Sequence, residues 1–121
     1  MKRIAIPLLV ALGATAAVAQ EPAFETGGSL LAKCRTALAG MDAGAGDVHD
    51  AVNAGICVGY VLAVADSATS AGSRGKACIP RGAAREQLVR IVVTHLTRDP
   101  AADKAIARDA VSKAYVAAFP C

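Results

Sequence analysis

Four cysteines, Cys34, Cys57, Cys78 and Cys121, lie downstream of an apolar leader, and this arrangement restricts the possible folds more than any other feature of the sequence. In the leader, Lys2 and Arg3 precede an apolar run from Ile4 to Val18 that stops at Ala17-Val18-Ala19. A charged start, a short apolar stretch and a small-residue site make a secretory signal, whereas a spanning helix needs about 20 apolar residues. Residues 1–19 therefore read as a signal peptide cleaved between Ala19 and Gln20, with 20–121 as one exported helical domain and no membrane contact after cleavage. Export places every cysteine in an oxidising compartment, where an even number reads as two disulfides. Zinc would need closely spaced ligands, but there is no Cys-x-x-Cys pair, and His49 and His95 sit at no ligand spacing. No metal or other cofactor is expected.

The exported part reads as helices throughout. Thr26 and Ser29 are candidate N-caps for a helix in which Leu30, Leu31, Cys34, Leu38 and Met41 recur at three- and four-residue intervals, with Gly40 as its expected end. A Gly-containing connection, Asp42 to Asp47, leads into a longer pattern from about Val48 to Ala71. Here Val52, Ile56, Tyr60 and Ala63 form one apolar stripe and Cys57, Val61, Val64 and Ala68 the next. A helix apolar nearly all round is central to its bundle or part of a subunit interface. After a loop from Ala71 to Ala77, a third helix is expected over about Ala83 to Arg98, on the spacing of Leu88, Ile91, Val92, His95 and Leu96. Asp99 can cap a fourth helix with Pro100 in its first turn. That helix carries Ile106, Ala110, Val111, Ala114 and Val116 and ends before Phe119-Pro120-Cys121. The fold class is all-α: a compact bundle of about four main helices, two antiparallel hairpins stapled by two disulfides.

Helix geometry selects one of the three possible disulfide pairings. Cys34 lies about two turns before the first connection and Cys57 about two turns after it, so an antiparallel hairpin brings them level. The third and fourth helices, each about 16–17 residues and near 25 Å at 1.5 Å per residue, bring Cys78 before one to Cys121 after the other. The expected bonds are 34–57 and 78–121. Each contributes roughly 3–4 kcal/mol in the chain-entropy picture, a large share of the net stability of a domain whose core is rich in small Ala and Val side chains.

Charge and chemistry exclude several functions. Loss of Lys2 and Arg3 with the leader lowers the formal charge from +3 to +1, too weak a footprint for nucleic acid or anionic lipid. Catalysis would need a nucleophile with a base, paired carboxylates or a metal centre. The strong nucleophiles here are cysteines, and oxidised cysteines offer no thiolate. His49-Asp50 has the His-Asp order of secreted phospholipases, but without that family's adjacent cysteines or glycine-rich calcium loop. His95 lies on an apolar stripe, as a core or boundary histidine does, and Asp66 falls late in an apolar helix. Arg74, Lys76 and Arg81, continued by Arg85, form a basic segment spanning the central loop and the start of the third helix. Such a segment is a candidate for docking an acidic partner.

One ordered set of motifs resembles a known family. Thr26-Gly27-Gly28-Ser29-Leu30-Leu31 with Cys34, Cys57-Val58-Gly59-Tyr60 with Asp66, Cys78-Ile79-Pro80, Asp99-Pro100 and Ala118-Phe119-Pro120-Cys121 together look like the Rap/Tai family of type VI secretion amidase immunity proteins. Ala63 departs from the family pattern, which has a glycine three residues after the tyrosine. The resemblance implies a periplasmic, all-helical protein, a homodimer in most members, that binds a cognate peptidoglycan amidase toxin and blocks its cleft sterically. Two other classes compete with it. An acid-type periplasmic stress chaperone would protect clients from aggregation at low pH, and an enzyme would lose turnover on replacement of His49 or His95.

Overall fold

A computed structural model describes residues 23–44, 46–69 and 77–121. The expected signal peptide with its cleavage site, and the basic residues Arg74 and Lys76, lie outside them. The described residues form α1 (Gly27–Ala43), α2 (Val48–Thr69), α3 (Arg85–Arg98) and α4 (Ala107–Ala118), with a single 3₁₀ turn, Pro100–Ala102, between α3 and α4.

The start of α1 follows from a capping box. The Thr26 hydroxyl accepts from the Ser29 amide at 3.2 Å and the Ser29 hydroxyl accepts from the Thr26 amide at 3.0 Å, so both expected caps act, as a reciprocal pair. Gly40 does not end the helix. It continues to Ala43 and stops at Gly44, whose φ of 90° is open to glycine and strained for other residues. Asp47 then starts α2, its carboxylate accepting from the Asp50 amide at 2.9 Å.

The fourth helix corrects the sequence reading. Asp99 does cap a turn, accepting from the Ala101 amide at 3.1 Å with Pro100 in first position, but that turn is the short 3₁₀ segment. The α-helix begins at Ala107, so α3 and α4 are 14 and 12 residues long, shorter than expected. The intervening carbonyls are engaged elsewhere. Asp103 accepts from the Gly28 amide at 3.0 Å, Ala105 accepts from the Gly27 amide at 2.9 Å, and the Ala107 amide donates back to Glu25 at 3.0 Å. First-turn amides lack partners within their own helix, and here a neighbouring segment supplies them. The approach is so close that a Cβ on Gly27 would lie 2.0 Å from the Ala102 carbonyl oxygen, which explains a glycine at the head of a helix.

One core joins all four helices, with Leu30, Val61, Val89, Val92, Val111 and Tyr115 fully buried. The Cys34–Cys57 disulfide lies inside it, both residues 0% exposed, and staples α1 to α2. Cys78–Cys121 is the second disulfide, so both expected pairings are present. Tyr115 is the largest side chain in this core, and its hydroxyl donates to the Val61 carbonyl at 2.7 Å. Burial pushes its phenol well above the ordinary range and keeps it neutral.

Candidate partner-binding surface

Segment 77–83 precedes α3 and is anchored at both ends. At one end, Cys78 is bonded to Cys121, and its amide donates to the Phe119 carbonyl at 2.8 Å. At the other, the Ala83 amide donates to the Pro80 carbonyl at 3.0 Å and closes a tight turn. Between these points Ile79 packs against the core while Arg81 is exposed. Of the four basic residues of the segment named in the sequence, Arg81 and Arg85 are within the described residues, and Arg81 is the one on this turn. The tethered turn gives its flexible side chain a fixed base.

Arg81 and Asp66 line one groove of about 440 Å³ between the last turns of α2 and this turn, floored by Leu62, Ala65, Ile79 and Leu88. Asp66, which the sequence left without a role, thus stands near the basic turn. Arg85, the first residue of α3, is also exposed. A cation at a helix N-terminus gains nothing from the helix dipole, so its position is not explained by helix stability.

The sequence reading missed a larger groove, about 770 Å³, between α3 and α4. Its walls include Ile91, His95 and Arg98 from α3 and Ala114, Ala117 and Ala118 from α4. The visible signal was the alanine spacing on α4, where small side chains leave room beside a neighbouring helix. His95 is half-buried on this wall in the last turn of α3, the boundary position expected for it.

His49 is exposed at the head of α2, its ring Nδ1 lying 3.2 Å from the side-chain nitrogen Nδ2 of Asn53. Asp47, His49 and Asp50 bring their ligand atoms within 4.8 Å of one another. Helix capping explains that cluster, because the Asp47 carboxylate is already engaged by the Asp50 amide. No cysteine is free among the described residues, so a cysteine–histidine mechanism has no nucleophile there.

The outer face of α2 is a second feature of this surface. Val48, Val52 and Ile56 are 81%, 56% and 40% exposed. Gly55, Gly59 and Ala63 are also exposed, and among the described residues a Cβ built on either glycine meets no atom within 4 Å beyond its chain neighbours and the backbone of α2 itself. By length and composition α2 could cross a membrane, but its other face is built into the core through Cys57, Val61, Val64 and Ala65.

The sequence model describing Rap1a immunity proteins matches residues 26–121, from the capping threonine of α1 to the second cysteine of the outer disulfide. The chain belongs to the Rap1a immunity protein family. It is accordingly an immunity protein against a secreted effector, in a family that is generally non-enzymatic and typically periplasmic. Comparisons with curated proteins and with solved structures gave no match. In this Rap1a immunity protein two disulfides staple the scaffold that presents these surfaces.

Proposed function

We propose that this Rap1a immunity protein resides in the periplasm after cleavage between Ala19 and Gln20, and binds and sterically blocks a peptidoglycan amidase delivered by type VI secretion. The observation that carries the reading is the family match over residues 26–121. The tethered turn supports it, since a surface ordered before binding loses less entropy on association. The contact surface is the basic segment, with Arg81 on its anchored turn and Arg74 and Lys76 shortly before it in the sequence. Blocking is steric occlusion of the enzyme's cleft.

Two copies associate through the outer faces of α2. Valine and isoleucine ridges beside glycine and alanine gaps form a surface that can meet its own copy about a two-fold axis. The same exposed stripe favours a second reading, an acid-type holdase that uses it to bind unfolding clients.

The decisive test is co-expression in the periplasm with the amidase encoded beside it. Restored growth and a co-purifying complex are expected, with Arg81→Glu weakening binding. Failure to rescue from, or bind to, any neighbouring amidase rejects the reading. Suppression of client aggregation at low pH, without any amidase binding, would favour the holdase instead.

A further inference from the structure

The two disulfides differ in their access to solvent. Cys34 and Cys57 are 0% exposed and are enclosed by Leu30, Val61 and the rest of the core. Cys78 and Cys121 are both exposed, and they join two short non-helical segments rather than two helices. Thiol–disulfide exchange proceeds by attack of a thiolate on one sulfur along the S–S axis, so access decides which bond reacts. Breaking the outer bond removes no side chain from the core. Tyr115, Val111 and Val92 are buried within the core, Ile79 and Phe119 pack against that core, and the Cys78 amide donates to the Phe119 carbonyl, contacts that are separate from the bond itself.

We propose that Cys78–Cys121 is an exchangeable disulfide, opened by a solvent-borne dithiol of the thioredoxin-like class while Cys34–Cys57 stays closed and the helical bundle persists. One thiolate of the dithiol attacks the sulfur of Cys78 or Cys121, forming a mixed disulfide and expelling the other cysteine as a thiolate, which takes a proton from water. The second thiolate of the dithiol then displaces the remaining protein sulfur. Two electrons and two protons pass to the protein, leaving two cysteine thiols, and the reagent departs as a disulfide. Opening frees the Cys121 end and removes the covalent tie at Cys78, leaving the hydrogen bond to the Phe119 carbonyl as the remaining tie at that end of the turn that carries Arg81. The bond therefore sets how rigidly that turn is presented. This consequence rests on the partner surface proposed above, whereas the exchange needs no partner, so the two can fail separately.

The test is a dithiothreitol titration of the oxidised, folded protein, quenched with iodoacetamide and mapped by mass spectrometry, with far-ultraviolet circular dichroism followed in parallel. Labelling of Cys78 and Cys121 is expected at dithiothreitol concentrations at least about ten-fold below those that label Cys34 and Cys57, as the difference in access requires. The helical signal should be retained through that first step. Simultaneous labelling of all four cysteines, earlier labelling of Cys34 and Cys57, or no labelling of the outer pair overturns the proposal. A Cys78→Ser, Cys121→Ser double variant provides a second arm. Native helical content with Cys34–Cys57 intact supports the proposal, and failure of this variant to fold overturns it.

Discussion

Along α2, Cys57, Val61, Val64 and Ala65 face the core, while Val48, Val52 and Ile56 on the opposite side stand in solvent. The two faces are similar in composition and differ in what covers them. The inner face carries a disulfide to α1 and receives the Tyr115 hydrogen bond from α4. The outer face has no described neighbour at its glycines. Hydrophobicity alone therefore does not set the energetic weight of a residue. Its weight follows from the number of neighbours that lose contact when it is removed.

Substitutions can break or sharpen this contrast. Replacing both Cys34 and Cys57 with alanine should have the largest effect, about 3 kcal/mol lost in chemical denaturation, because the bond both closes the α1–α2 loop and fills the core. Val61→Ala should follow at about 2 kcal/mol, from lost apolar burial and the space left behind. Tyr115→Phe removes the hydroxyl that reaches Val61 and should lower stability by about 1 kcal/mol without altering the helical spectrum.

A polar contact away from α2 gives a baseline. Lys33 meets Glu25 at 2.8 Å. Burial raises the Glu25 carboxyl, but hydrogen bonds from Lys33 and Ser29 and the Lys33 charge outweigh it and hold the pKa below the ordinary value. With the folded pKa depressed, this contribution is fully present above the ordinary carboxylate pKa and is lost as pH falls through the lowered value. Glu25→Gln should thus lower neutral-pH stability by about 0.5 kcal/mol, a difference from the native chain that disappears in acid. The smallest effect on stability belongs to Val52→Ser with Ile56→Ser, within about 0.5 kcal/mol for the monomer. Sedimentation should show the pair shifting association toward monomer. A loss of several kcal/mol from this pair would mean that the outer face is not an exposed surface, and the contrast between the faces would collapse.

The candidate site was only partly legible in the sequence. Arg81 was visible as one of a run of cations, but its fixed base depends on Cys78, Pro80 and Phe119 meeting through the outer bond and two backbone hydrogen bonds. The α3–α4 groove was not seen, because its walls come from residues more than fifteen positions apart, such as Ile91 and Ala114. Asp66 remained ambiguous for the same reason, since its nearness to Arg81 is set by how α2 meets the turn before α3.

By itself, the sequence determined that four main helices form, the capping of α1 and both disulfide pairings. These rest on three- and four-residue spacing, on hydrogen bonds between close neighbours, and on loop lengths that bring particular cysteines level. Only the tertiary structure decided which stripe of α2 is covered, since Val52 and Ile56 are as apolar as Val61 and Val64. It also decided that the fourth α-helix starts at Ala107 rather than at Pro100, because the Asp103 and Ala105 carbonyls bond the first amides of α1. An unpaired amide can be satisfied by any segment that reaches it, and the segment that does so is fixed by packing across the whole bundle.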